Sequence, residues 1–177
     1  KTYIIVEIDN DLYFVDKHAA HERMNYERLK DSEINSQLLL EPVAVRLSPE
    51  EYNAVCDNLD LYAKCGFAIE DFGSDTVIVR ECPSILNGEN IKDLICETAQ
   101  KLLDGKTDIT PEQMDWIFHS TACRAAVKAG DTTPPAEQEL FIKKLLSMPN
   151  VRYCPHGRPV MIKMSKYEIG KQFGRIQ

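Results

Sequence analysis

The sequence has no apolar run that approaches the roughly 18 residues of a membrane-spanning helix. Its start, residues 1–7, is typical of a β-strand rather than of a secretory signal peptide. These two absences argue against a membrane or secreted protein, so we expect no membrane partner and a cytoplasmic location. The strand-like start without an initiating methionine also leads us to expect a piece of a longer protein.

The sequence also lacks the cysteine pattern of a disulfide scaffold. Its six cysteines have neither the density nor the regular spacing of small secreted domains. A chain of 177 residues is long enough to bury a hydrophobic core without disulfides. We therefore expect reduced thiols, some of them free to bind metal.

An excess of positive charge is missing as well, since the formal net charge is -7. Strong autonomous nucleic-acid binding needs clustered Lys and Arg, so this charge argues against it. From residue 115 onward, ten basic residues stand against five acidic ones, which leaves +5 there and -12 in residues 1–114. A weak phosphate-facing surface could lie at that end, although such an excess is more often a solvated face.

The first elements are predicted from hydrophobic periodicity. Apolar and β-branched residues at 3–8 and 12–16 flank Asn10-Asp11, which predicts a β-hairpin with a turn at that pair. Helix formers then run from about His18 to Lys30, and Asp16 is placed to cap the start of that helix.

The rest of the chain predicts an α+β fold in two lobes, with mixed sheets and packed helices. We expect one lobe from residues 1–36 and 106–177, and an inserted lobe from residues 37–105. The predicted elements are an apolar strand at 38–47, a helix at 49–64, strands near 67–71 and 76–80, helices at 90–103, 111–126 and 134–148, a strand, turn and strand over 151–164, and a helix at 165–172.

The segment from Asp16 to Glu22 carries three potential metal ligands. His18 and Glu22 are four residues apart and share a helix face, and Asp16 precedes the helix. Two carboxylates and an imidazole suit Zn or Mn. By itself, the segment is more often structural, with Asp16 as a cap and the other two side chains solvated.

Two further segments carry soft ligands. Cys154 and His156 are two residues apart in a turn held by glycine and proline, so both can face one ion. Cys123 lies late in a predicted helix, next to Arg124. Alternatively, Cys154 is a small core residue next to an exposed His156, and Cys123 is a buried residue next to an exposed Arg124. Arg158 would then be a simple surface charge.

Together, these segments resemble the MutL endonuclease family. That family has an Asp-Gln-His-Ala motif followed by two spaced glutamates, then Ala-Cys-Arg, Cys-Pro-His-Gly-Arg-Pro and Phe-x-Arg motifs. Lys17 stands where the family usually has Gln. The corresponding residues here are Asp16-Lys17-His18-Ala19 with Glu22 and Glu27, Ala122-Cys123-Arg124, residues 154–159, and Phe173-Gly174-Arg175.

The resemblance implies a homodimeric, DNA-nicking domain with a dimerisation lobe and an inserted regulatory lobe. It implies Zn and Mn as cofactors, with ATP bound by a domain outside this sequence, and a nucleoid-associated location in a bacterium. The implied metal ligands are Asp16, His18, Glu22, Cys123, Cys154 and His156. The implied supporting or phosphate contacts are Glu27, Arg124, Arg158 and Arg175, and the implied catalytic residues are Asp16, His18, Glu22 and Arg158.

Glu27 follows Glu22 by five residues and is turned by about 140° from it on a helix, so we expect a supporting role. The segment from Gln37 to Pro42 is similar to the peptide with which the family docks on the replication processivity clamp. Docking would use Gln37, Leu38, Leu40 and Pro42, and exposure of the two leucines would favour it. The alternative is an ordinary buried strand.

Two other functions fit the same residues. One is a non-catalytic dimerisation module in which a structural zinc joins Cys123, Cys154 and His156. The other is a free-standing hydrolase of small phosphoesters. The resemblance implies DNA and a mismatch-recognition protein of the MutS type as further partners. The metal site requires that the helix after the first hairpin lie close to the Cys-Pro-His turn.

Overall fold

The computed structural model describes residues 2–31, 34–86, 90–104, 111–126, 134–149 and 151–175. In chain order its elements are β1 (Tyr3–Ile8), β2 (Asp11–Asp16), α1 (Lys17–Asp31), β3 (Ser36–Arg46), α2 (Pro49–Cys56), α3 (Leu59–Lys64), β4 (Ala68–Gly73), β5 (Thr76–Pro83), α4 (Ile91–Asp104), α5 (Pro111–Arg124), α6 (Pro135–Ser147), β6 (Met161–Met164) and α7 (Lys166–Gln172). This mixture confirms the predicted α+β class.

The chain divides into two compact units. Unit 1 consists of Lys1–Met24 and Ala126–Gln177, and unit 2 is Asn25–Ala125. The lobe boundary expected between residues 36 and 37 falls inside β3, and the one expected at residues 105–106 lies outside the described residues. The names dimerisation lobe and regulatory lobe stay predictions.

The sheet of unit 1 has the order β1-β2-β6 and is antiparallel throughout its described pairs, where mixed sheets had been expected. A tight turn joins β1 to β2, and such a turn imposes antiparallel pairing. Asp9 and Asn10 both have positive φ, 51° and 68°, which these residue types tolerate. The turn therefore lies one residue earlier than the predicted Asn10-Asp11.

The core of unit 1 lies between one face of this sheet, the first half of α1, and α6. It contains Ile4, Val15, Ala19, Ala20, Met24, Ile142, Leu145, Cys154 and Val160. The first strand expected within 151–164 is wrong, because only an isolated bridge joins Tyr153 to Pro159. Prolines at 155 and 159 cannot donate to a strand ladder, which explains the difference.

The opposite face of the same sheet is apolar and exposed. Directly paired residues share a face, so Ile5, Phe14 and Ile162 form one row across the three strands. Ile5 and Ile162 are about three-fifths exposed, at 60% and 58%. The adjacent row consists of Leu12 and Met164 together with the exposed carboxylate Glu7.

Unit 2 has an antiparallel sheet of order β3-β5-β4. Its core draws on all three strands, α2 to α5 and the end of α1, and includes the fully buried Tyr62, Leu86 and Ile95. The helix expected over 49–64 is two helices, because the Asn58 side chain donates to the Ala54 carbonyl (2.8 Å) where α2 ends. Within the described residues, no helix is long and apolar enough to span a membrane.

Candidate metal centre

Asp16 stands at the junction of β2 and α1 and caps the helix. Its Oδ1 accepts hydrogen bonds from the backbone N–H groups of His18 (2.9 Å) and Ala19 (3.1 Å). These N–H groups have no partner inside the helix, so the carboxylate stabilises the helix start. The capping role predicted for Asp16 is confirmed, and it fixes the position of His18 in the first turn.

Glu22 lies one turn further along α1 and is buried, with only 2% of its surface exposed. Its Oε1 is 3.1 Å from Nε2 of His18, and its Oε2 is 3.4 Å from Nδ1 of His156. A buried carboxylate thus lies between two imidazoles that come from distant parts of the chain. The required proximity of α1 and the Cys-Pro-His turn is present.

The Cys-Pro-His turn is closed by its own backbone. The Cys154 N–H donates to the Arg158 carbonyl (2.8 Å), and the Gly157 N–H donates to the Cys154 carbonyl (2.9 Å). Gly157 has φ +80°, a conformation that favours glycine. The Val160 carbonyl accepts from the Asp16 N–H (3.0 Å), which fastens the end of this segment to the start of α1.

Ligand atoms of Glu22, Cys154 and His156 all lie within 4.8 Å of one another. Cys154 is 3% exposed, and burial raises the pKa of its thiol. The neighbouring Glu22 carboxylate also raises this pKa, while the backbone N–H groups of Arg158 and His156 lower it. N–H donors of this kind favour the thiolate, the form that binds metal. One carboxylate, one thiol and one imidazole form a donor set that suits zinc.

His21 and Lys17 lie beside this cluster. His21 stacks on Phe141 at a ring distance of 4.3 Å, and burial together with the charges of Lys17 and His18 lowers its pKa to about 4. His21 is therefore a neutral packing residue near pH 7. Lys17 is 5% exposed, and sequence reasoning noted its charge but missed its burial.

Cys123 and Arg124 lie at the end of α5, in unit 2. The guanidinium of Arg124 contacts two carboxylates of α4, with Nη2 2.6 Å from Glu97 and Nη1 3.8 Å from Asp93. No local pattern of residues predicts this pairing. The predicted roles of Cys123 as a metal ligand and of Arg124 as a phosphate contact stay predictions.

The remaining predicted site residues lie at three places. Arg158 is exposed in the turn that carries Cys154 and His156, and Arg175 is exposed after α7. Glu27 is half-buried in the part of α1 that belongs to unit 2. Their supporting or phosphate roles also stay predictions.

The predicted clamp-docking segment lies in β3, an edge strand of unit 2. Leu38 is 74% exposed and Leu40 is fully exposed, so the alternative of an ordinary buried strand is wrong for these two residues. Pairing with β5 shifts register between Leu38 and Val43. The amide of Gln37 points into its own unit and donates to the Leu86 carbonyl (2.8 Å), which sequence reasoning missed.

A model of the family described as the MutL C terminal dimerisation domain matches residues 1–133. The chain belongs to this family. Its MutL resemblance, inferred from the four motifs, is thereby confirmed.

Curated MutL proteins align with almost the whole chain. It is 39% identical over 181 residues to the DNA mismatch repair protein MutL of Clostridium botulinum (strain Kyoto / Type A2), and 37% identical over 180 residues to that of Clostridium tetani (strain Massachusetts / E88). Each alignment covers 99% of this chain, but only 27% and 29% of the two relatives. The chain thus spans about a quarter of the length of these MutL proteins.

Proposed function

We propose that the chain is the metal-dependent, DNA-nicking and homodimerising region of a MutL-type mismatch repair protein. The main support is that Glu22 meets Cys154 and His156, which lie more than 130 residues away in sequence, with ligand atoms within 4.8 Å. Membership of the MutL family supplies the second support.

The donor set fits zinc at Cys154, His156 and Glu22, and fits manganese at the oxygen and nitrogen donors Asp16, His18 and Glu22. Either ion, when bound, would supply Lewis acidity toward a phosphodiester and would lower the pKa of water. The motif resemblance adds Cys123 to the proposed ligands.

The protein residues have distinct proposed roles. Glu22 orients His18 and His156 through its two carboxylate oxygens, as its two short contacts suggest. Asp16 is the proposed ligand whose loss should reduce nicking the most, and the hydrogen bonds of the helix cap hold its Oδ1 in place. Arg158, exposed beside the cluster, offsets the charge that develops on the phosphate oxygens.

The substitution Asp16→Asn tests the nicking function. Asparagine is also a good helix cap, so folding and dimerisation should persist while one ligand charge is lost. We expect nicking of supercoiled DNA in manganese to be abolished. The matched control is Asp9→Asn, an exposed carboxylate in the hairpin turn of the same unit, where positive φ suits asparagine.

Undiminished nicking by the Asp16→Asn protein would end this proposal. If instead the wild-type chain never nicks DNA and unfolds when its metal is removed, the structural-zinc alternative would replace it. The isolated chain carries a net charge of -7, so its nicking should be measured at low ionic strength.

We propose that the homodimer forms through the exposed sheet face of unit 1, the row of Ile5, Phe14 and Ile162. Exposed apolar patches of this kind are typical of protein interfaces. A second copy is the proposed occupant because the matching family is described as a dimerisation domain.

We also propose that Leu38 and Leu40 anchor the chain on the replication processivity clamp. Both side chains are exposed on an edge strand, the geometry that suits an extended docking segment. The remaining partners, DNA, a MutS-type protein and ATP, would engage the full-length protein.

A further inference from the structure

The C-terminal part of unit 1 exposes many cations and three large aromatic rings. Residues 151–175 contain six basic residues and one acidic residue, although the whole chain is acidic. The single acid, Glu168, is engaged in the capping box of α7 through the Oγ (2.6 Å) and N–H (2.7 Å) of Ser165. The exposed rings are Tyr153, Tyr167 and Phe173.

A pocket of about 380 Å³ lies in this segment, lined by Lys166, Ile169, Gly170, Phe173 and Arg175. The chain reverses after α7 because Gly174 adopts φ +63° and the Arg175 N–H donates to the Gly170 carbonyl (2.9 Å). This is the glycine-dependent way to end a helix. It returns Phe173 and Arg175 to the same pocket as Lys166.

The cations of the pocket are available to a ligand. Lys163, just outside it, is paired with Asp11 at 2.6 Å. By contrast, Lys166 and Arg175 form no side-chain ion pair with any residue that the structure describes. The Phe173 ring is 75% exposed. Two cations beside an open aromatic ring suit a ligand that has a flat apolar group and an adjacent negative charge.

We propose that this pocket binds one nucleotide of single-stranded DNA, with the base stacked on Phe173 and the phosphate between Lys166 and Arg175. Base stacking on exposed aromatics within a basic surface is the general mode of single-strand binding. The bases of a duplex are stacked on one another and offer no free face to Phe173. This inference rests on the proposed function only in taking DNA as the substrate.

The test measures fluorescence anisotropy of a labelled oligothymidylate and of a duplex of equal length, with the zinc-loaded 177-residue chain at low ionic strength and without manganese. Phe173→Leu should weaken oligothymidylate binding by about 5-fold or more, as the loss of one stacked base requires, and leave duplex binding unchanged. Arg175→Gln should weaken both and reduce the salt dependence. Matched controls are Tyr153→Leu, an exposed ring outside the pocket, and Lys144→Gln, an exposed cation of α6.

The proposal is overturned if Phe173→Leu changes oligothymidylate binding no more than Tyr153→Leu does, or if Lys144→Gln has the effect of Arg175→Gln. Tighter binding of oligouridylate than of oligothymidylate would assign the pocket to RNA instead. Because this assay measures binding and not cleavage, these outcomes are independent of the Asp16→Asn test, which addresses nicking alone.

Discussion

The two units of the chain differ in charge and in the size of their cores. Unit 1 has twelve basic and nine acidic residues, a net charge of +3, whereas unit 2 has nine basic and nineteen acidic residues, a net charge of -10. Among the described residues, the buried hydrophobic cluster has nine members in unit 1 and twenty in unit 2. Unit 1, with the smaller core, carries the basic surface and five of the six candidate metal ligands, all except Cys123.

This difference indicates which unit depends on ligands. Unit 1 has a small apolar core, and its buried Glu22 lies with Cys154 and His156 in one candidate ligand cluster. Unit 2 depends mainly on apolar burial, which needs no partner. We therefore expect zinc at Glu22, Cys154 and His156, and dimerisation through the sheet face of unit 1, to stabilise unit 1 more than unit 2.

The largest expected effect is on the dimer. Ile5→Asp places an unpaired carboxylate in the proposed apolar interface of unit 1, at a cost of roughly 3 kcal/mol or more. The dissociation constant of the homodimer should rise by more than about 100-fold, as measured by sedimentation equilibrium. The control is Leu103→Asp, a partly exposed leucine of α4 in unit 2. Equal dissociation of both variants would show that the sheet face is not the interface.

Zinc binding should slow amide hydrogen exchange in unit 1 more than in unit 2. A ligand at about 100 times its dissociation constant stabilises the form that binds it by about 2.7 kcal/mol, or about 100-fold in exchange. We expect slowing at the amides of Val15 and Val160 in unit 1, and little change at Val79 and Leu94 in unit 2. Uniform slowing across these four amides would contradict the contrast between the units.

A smaller effect is expected at the clamp-docking segment of unit 2. Leu38→Asp should weaken binding to a purified bacterial processivity clamp by about 10-fold, because it removes about 1.4 kcal/mol of apolar contact. The control is Phe72→Asp, an exposed aromatic residue of β4 in the same unit. If surface plasmon resonance gives the same loss for both variants, Leu38 is not an anchor.

Local signals predicted much of the fold. Apolar, β-branched and aromatic residues on either side of a turn pair predicted β1 and β2, and the carboxylate of Asp16 marked the start of α1, as the cap confirms. The break between α2 and α3 could not be predicted, because Asn58 can either extend a helix or bond to its backbone, and only the fold decides which. Successive apolar residues in β1 place apolar side chains on both faces of the strand, and this pattern did indicate the exposed patch.

The candidate site was less accessible to sequence reasoning than the fold. Spacing placed His18 and Glu22 on one helix face, but the contact between Glu22 and His156 joins distant segments and came only from family resemblance. The pairing of Arg124 with Glu97 and the inward hydrogen bond of Gln37 depend on which elements pack together. Neither leaves a local signal in the sequence.

Cobalt substitution tests the metal centre most directly. When Co²⁺ is added to the metal-free chain, a thiolate-to-cobalt charge-transfer band should appear in the near ultraviolet, because Cys154 lies with Glu22 and His156 in one ligand cluster. The band should weaken in Cys154→Ser, because Cys123 is the other proposed thiolate ligand, and should be unchanged in Cys82→Ser, a buried cysteine of unit 2. A band of undiminished intensity in Cys154→Ser, or one that never forms in the wild-type chain, would contradict the assignment of this cluster as a metal centre.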